Sequence, residues 1–324
     1  MDDKKFVCKV LLMSLFISAF CLGGILYVPL TSTNTVYADE KESVSVTAQP
    51  GEYDLKVPLP SGFDTDHVVI ESYTDKKQIR IIIENIDKNY LYENDIVQSS
   101  SHIEKMVYDY ADDAAIIDLH LDGYFECECS FDDEGDCAGI TLIALRDKYE
   151  RVVVIDAGHG ASDPGTAVDD AVESEIDLRL ALLLKDKLNE KGIGVCLTRS
   201  GSDENPAGEV RHAMAAEAGA DAYVSIHCNG DPRTRTSFGS VVRYSDKGNE
   251  LAQCIAKHAA DNDEQCLDNE HGGVLPEGDI PAVMYLPGYL TNKADADRLM
   301  DDDKLAETAD KLCEGLEEYF DNDR

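Results

Sequence analysis

Positive charge is what this chain lacks most. It carries 29 Lys and Arg against 65 Asp and Glu, a formal net charge of −36. A surface of that sign repels phosphate backbones, which excludes nucleic acid as a partner. The acidic residues are spread along the chain rather than gathered into a tail, so they read as a solvated surface that resists aggregation. Tryptophan is absent, and aromatic residues make up only 7%. No internal repeat recurs, which excludes a solenoid or a propeller. Cysteine is not scarce, at ten residues, but its spacing gives no disulfide framework, and a chain of 324 residues needs no such staples. Cys127 and Cys129 alternate in a predicted strand, too close to pair with each other. Cys196, Cys228 and Cys313 sit in apolar contexts and are expected to pack as small hydrophobes. Cys254 and Cys266 remain as a pair that a bridge could join, with free thiols as the alternative.

What is present is ample apolar material: 43% hydrophobic residues over a length that suggests two domains. The first residues stand apart. Lys4, Lys5 and Lys9 precede an apolar run from Val10 to Leu30, and Val36-Tyr37-Ala38 follows with small residues at the positions a signal peptidase reads. Residues 1–38 are therefore expected to be a secretory signal peptide cut after Ala38. Because the run approaches spanning length, an uncleaved anchor is the alternative, with membrane association through this segment. Phe20 before Cys21 argues against a lipoprotein signal. In both cases the working domains lie outside the cytoplasm.

Residues 39–50 are polar and read as a linker. From 51 to 150 the pattern is mainly strand. Asp66–Tyr73, Gln78–Glu84, Asp118–Phe125 and Ile140–Leu145 are β-type runs between turn residues, which predicts a small β-sandwich. His67, His102 and His120 stand alone there, and no catalytic constellation is visible. From Arg151 strands alternate with helices over 151–324, predicting an α/β domain with a largely parallel, twisted sheet flanked by helices. Ile176, Leu180, Leu184 and Leu188 recur every four residues on a buried helix that Gly192 stops. Ile193–Arg199, Phe238–Tyr244 and Pro281–Leu286 are further strands. Val210–Ala218, Leu251–Ala260 and Lys304–Phe320 are further helices.

Two apolar strands in this half each end in a histidine: Val152–Ala157 leads to Gly158-His159-Gly160, and Ala222–Ile226 leads to His227-Cys228-Asn229. In open α/β sheets, sites form beyond the carboxyl ends of the strands. Glu173 opens the helix between them, where the macrodipole favours a carboxylate, with Glu175 as the other candidate. Imidazole, carboxylate and imidazole suffice to hold a catalytic zinc with a position left for water.

The order of these pieces is specific. It runs Ile155-Asp156-Ala157-Gly158-His159-Gly160, Asp163-Pro164-Gly165, Glu173 and its Leu-rich helix, Leu197-Thr198-Arg199, Arg211, and Ser225-Ile226-His227-Cys228-Asn229. Pro281-Ala282-Val283 and Gly288-Tyr289-Leu290-Thr291-Asn292 follow, then Asp295 or Asp297, and Leu299. Residues 151–320 thereby resemble the zinc-dependent N-acetylmuramoyl-L-alanine amidases of the type 3 family, the peptidoglycan amidases of bacterial walls and sporulation. The resemblance implies zinc held by His159, Glu173 and His227, and peptidoglycan as the partner. The bond cut would be the amide between the lactyl group of N-acetylmuramic acid and L-alanine.

The chain departs from that pattern where the family usually carries a glutamate that acts as general base and acid. Here Leu286 stands there, followed by Pro287, and Ser174 replaces the usual lysine after the metal-binding glutamate. Leucine can neither take nor return a proton, a loss worth about two to four decades of rate. Three outcomes follow: proton transfer from Glu277, Asp279, Glu270 or His271, slow turnover by the metal alone, or a peptidoglycan-binding or regulatory module that keeps the metal site. The β-rich half occupies the place of a wall-targeting module of the AMIN kind, a likeness of architecture alone.

Overall fold

A computed structural model describes residues 53–73, 76–132, 135–260, 267–268 and 275–322. The expected signal segment and linker, Cys266, Glu270 and His271 lie outside the described residues. The described residues divide into two compact units: one holds those up to Glu71 with those of Ile79–Leu119 and Cys127–Leu142, the other those of Ser72–Gln78, His120–Glu126 and from Ile143 on.

The first unit is built from β1 (Leu55–Pro58), β2 (Val68–Tyr73), β3 (Gln78–Glu84), α1 (Tyr90–Glu93), β4 (Val97–Gln98), β5 (Ile103–Ala111), β6 (Ala114–Leu121), β7 (Phe125–Phe131) and β8 (Cys137–Ala144); α2 (Leu145–Lys148), which follows, belongs to the second. Its strands form two four-stranded sheets, ordered β4-β1-β8-β7 and β2-β3-β6-β5. Period-two patterning drives this. Ile79, Ile81 and Ile83 of β3 are buried while the residues between them are not, and Ile117 and Leu119 of β6 repeat the rule. Asp112 and Asp113 both take positive φ (52° and 62°) in the turn from β5 to β6, as a two-residue hairpin requires. The expected run Asp118–Phe125 is split, because Asp122-Gly123 makes a turn between β6 and β7.

The second unit adds β9 (Val152–Ala157), β10 (Ala167–Val168), β11 (Ala171–Val172), α3 (Glu173–Glu190), β12 (Gly194–Leu197), α4 (Gly208–Glu217), β13 (Ala222–Ile226), β14 (Val241–Tyr244), α5 (Asn249–Ala259), β15 (Leu267–Asp268), β16 (Ala282–Leu286), α6 (Lys293–Met300) and α7 (Asp302–Asn322). The six-stranded sheet has the order β12-β9-β13-β16-β14-β15. Every pairing in it is parallel except β14 with β16. Its central strands are buried along their whole length, which is why they read as continuous apolar runs rather than alternations. One face packs Val153, Ile155 and Val224 with Ile176, Leu180 and Leu184 of α3, Ile255 of α5 and Leu312 of α7. The other packs Val154, Cys196 and Tyr223 with Met214 and Ala215 of α4. Gly192, at φ 74°, ends α3: Ile193 N–H turns back to the Leu188 carbonyl at 3.0 Å. The strand expected from Phe238 begins only at Val241, since Gly239 turns at φ 86°. The described cysteines are unbridged, and Cys196, Cys228 and Cys313 are buried. Among the described residues no helix is long and apolar enough to cross a membrane.

Candidate functional site

The parallel register puts the ends of β9, β13 and β16 side by side. Ala157 lies opposite Ile226, and Ile226 opposite Tyr285. The residues that follow, His159 and His227, therefore emerge at one edge of the sheet. Gly158 N–H donates to the Ile226 carbonyl at 3.0 Å and His227 N–H to the Tyr285 carbonyl at 3.1 Å, so both turns are tied to the ladder. His159 itself has φ 57°, Gly160 125° and Ala161 47°, an unusual run of left-handed residues. Only glycine fits at 158, where a Cβ would run into the His227 ring.

Glu173 arrives from the other side. The chain turns at Asp163-Pro164-Gly165, makes the short β10–β11 hairpin and enters α3. Glu173 N–H donates to the Thr166 carbonyl at 2.9 Å, and Ser174 N–H to the Pro164 carbonyl at 3.1 Å. The Glu173 carboxylate is buried and fully engaged: Oε2 accepts from Thr166 N–H at 2.6 Å, and Oε1 from Cys228 N–H at 3.0 Å. His159 Nε2 lies 3.2 Å and His227 Nδ1 3.1 Å from that same Oε1. The rings stand nearly perpendicular at 83°, with centroids 4.8 Å apart. Glu175, the other first-turn carboxylate, is exposed and takes no part.

His159, Glu173 and His227 form the one group among the described residues able to hold a metal ion, with donor atoms within 4.8 Å of one another. Atoms around a tetrahedral ion with bonds of about 2.1 Å sit about 3.4 Å apart, so the observed contacts fit. The other ring nitrogen of His159 is occupied. Its Nδ1 meets Asp163 Oδ2 at 2.8 Å, which orients the ring and fixes Nε2 as the inward atom. The charges suit a cation. Hydrogen bonding to Glu173 raises the His159 pKa to about 9, burial opposing it. Burial would lift Glu173, but the hydrogen bonds from His159, His227 and Thr166 outweigh it and hold the carboxyl far below its usual range.

Beneath the His159 turn lies a buried polar network. Asp156, inside the apolar β9, accepts from Arg211 Nη1 at 2.6 Å, Thr198 Oγ1 at 2.7 Å and Ser225 Oγ at 2.7 Å. Ser225 is its direct partner in the ladder. Burial opposes its ionisation, but the Arg211 charge and these three donors keep it below the ordinary aspartate value. Asp177, one turn after Glu173, is fully buried against Cys228, and burial pushes its carboxyl well up. The sequence signal for Asp156 was a charge inside an otherwise apolar strand. Asp163 was visible only as part of the Asp163-Pro164-Gly165 piece, and Asp177 had no comparable signal.

Leu286 closes β16 and is buried, so the side chain at that position offers no proton-transfer group. Two substitutes expected from the sequence lie in the wrong place. Glu277 and Asp279 are exposed and precede the start of β16, whereas the histidines lie past the far end of its parallel neighbours. A five-residue strand spans about 16 Å, which separates them from the site. Of the two aspartates near the end of the motif series, Asp295 is buried and its Oδ2 accepts from Gly239 and Tyr289 N–H, both at 2.9 Å. Asp297 is exposed and pairs with Lys293. The loop leaving His227 carries Arg233, Arg235 and Phe238 on its outside; Arg233 pairs with Asp231 at 3.5 Å, and no acidic residue falls from Pro232 to Ser245.

Residues 153–318 match the family model described as N-acetylmuramoyl-L-alanine amidase. A sporulation-specific N-acetylmuramoyl-L-alanine amidase of Bacillus subtilis is 30% identical over 181 residues, covering 52% of this chain and 68% of that protein. A probable cell wall amidase, LytH, of Staphylococcus epidermidis is 29% identical over 178 residues, and the match covers 52% of this chain and 58% of that protein. Among solved structures, the catalytic domain of CwlV, an N-acetylmuramoyl-L-alanine amidase of Bacillus (Paenibacillus) polymyxa var. colistinus, aligns with TM-score 0.50 and 31% identity. That alignment covers 53% of this chain and 98% of the other. With more than half its length matched by the family model, and its strand-end residues in place, this chain belongs to the N-acetylmuramoyl-L-alanine amidase family.

Proposed function

We propose that the protein is a zinc-dependent peptidoglycan hydrolase that cuts the amide between N-acetylmuramic acid and L-alanine, outside the cytoplasm. One observation carries this: His159 Nε2 and His227 Nδ1 converge on a single oxygen of Glu173 at a sheet edge, in a family of amidases. Zinc bound there supplies a Lewis acid for the scissile carbonyl and lowers the pKa of water. The chain's own part is positional. Asp163 orients His159, the N–H groups of Thr166 and Cys228 aim Glu173, and buried arginines brace the His159 turn. Arg233 and Arg235, cationic in a strongly acidic protein, suit the carboxylates of a stem peptide.

Leu286 favours a second reading. A buried apolar side chain at the strand end accepts no proton, so the domain would hold zinc and wall material with little or no turnover. Incubating the purified full chain with peptidoglycan separates the two. Zinc-dependent appearance of free L-alanine amino groups, abolished in His159→Ala and by a chelator, supports hydrolysis. Zinc binding and sedimentation with the wall, but no new amine, supports the second reading.

A further inference from the structure

Arg199 is completely buried, yet all of its hydrogen bonds go to backbone carbonyls. Nε donates to Ala157 at 2.9 Å and Nη1 to Gly201 at 3.2 Å. Nη2 does something more specific. It donates to Gly158, the residue before His159, at 2.7 Å, and to Ser174, the residue after Glu173, at 2.7 Å. One nitrogen thus ties together the two segments that carry the first histidine and the carboxylate. Arg211 is different, because it answers a buried carboxylate, Asp156, while also donating to the Ala157 and His159 carbonyls. A buried guanidinium bound only to carbonyls is expensive. An apolar side chain in its place would leave those carbonyls without a donor, so what the guanidinium provides is the tie between the segments they belong to. The turn it holds is itself strained, with His159 and Ala161 at positive φ.

We propose that Arg199 is the positioning residue of the metal centre: it clamps the His159 turn to the first turn of α3 and so sets the separation of His159 Nε2 from the Glu173 carboxylate. The assignment rests on the reading of His159, Glu173 and His227 as metal ligands. A planar fork with donors on three nitrogens meets all four carbonyls at once. A lysine ammonium, with three donors at a single point, cannot.

The test uses the full chain as wild type, Arg199→Lys, and Leu312→Ala as a control that weakens the core in α7 away from the site. Zinc affinity is measured by competition with a chelating dye, the visible spectrum with cobalt(II) in place of zinc, and folding by circular dichroism. Arg199→Lys is expected to keep its fold, to lose about 10–100-fold in zinc affinity and to change the cobalt spectrum. Leu312→Ala is expected to lose stability and keep both. Wild-type affinity and the wild-type spectrum in Arg199→Lys overturn the proposal. So does an Arg199→Lys chain that stays unfolded even at saturating zinc, because Arg199 would then hold the fold rather than the centre. If the variant folds only when zinc is added, the zinc concentration needed reports the weakened affinity and supports the clamp. A wild-type chain that binds no zinc fails the ligand assignment instead, a separate outcome.

Discussion

Replacing Asp156 probes how the sheet edge is held. Its carboxylate is buried, paired with Arg211 at 2.6 Å, and takes two further hydrogen bonds from Thr198 and Ser225. Asp156→Ala leaves the Arg211 charge unanswered in a dry site, where removing one partner of a buried pair costs about 3–5 kcal/mol. Asp156→Asn keeps the shape and the two hydrogen bonds that Oδ1 accepts from Arg211 and Thr198, but loses the charge and must donate to Ser225 instead of accepting from it, so about 2–3 kcal/mol is expected. For a unit of this size each kcal/mol moves Tm by about 2–4 °C, so Asp156→Ala lowers it by roughly 6–20 °C. The assay is thermal unfolding of the full chain by circular dichroism. Because the chain has two units, the relevant transition is the one that Leu184→Ala, in the core of the second unit, also shifts. The pH dependence has a fixed sign. The folded pKa lies below the unfolded value, so the stabilisation is complete above about pH 4 and fades as pH falls through the folded pKa. The gap between wild type and Asp156→Asn therefore narrows on acidification below pH 4. An Asp156→Asn cost under about 1 kcal/mol at neutral pH, or a gap that widens in acid, refutes the argument.

Further expectations concern single positions. Ala161 is exposed at φ 47°, so Ala161→Gly relieves strain and stabilises by about 0.5 kcal/mol in urea unfolding, whereas a loss of stability would mean the turn is not strained. Leu286→Glu restores an acid at the end of β16. Faster release of L-alanine amines is expected, at a cost of about 2 kcal/mol for burying the carboxyl, and a folded, zinc-loaded variant with unchanged rate would show that this side chain does not reach the reacting groups. Charge reversal at Arg233 and Arg235 together is expected to weaken sedimentation with peptidoglycan, more so at low salt, while zinc affinity stays the same; undiminished wall binding would remove that loop from recognition.

Much of this molecule was legible before its structure, and the reason is periodicity. β9, β13 and β16 are buried on both faces, so composition alone marks them, and the fourfold recurrence of Ile176, Leu180, Leu184 and Leu188 marks α3. Parallel strands present their ends at one edge, so two histidines just past two such ends lie on the same side of the sheet, and they meet because β9 and β13 are neighbours in it. His159, Glu173 and His227 could be named for that reason, and Leu286 could be seen as a missing acid from its place in the motif order. What the sequence left open were choices among neighbours, because adjacent side chains differ only in where the backbone aims them. The helix phase buries Glu173 and exposes Glu175, and the capping of α6 buries Asp295 and leaves Asp297 outside. Direction along a strand decided against Glu277 and Asp279, which lie near Leu286 in sequence but at the opposite end of β16. The bonds of Arg199 to Ala157, Gly158 and Ser174 join positions far apart in sequence through backbone carbonyls, which carry no residue identity, so only the tertiary structure could disclose them.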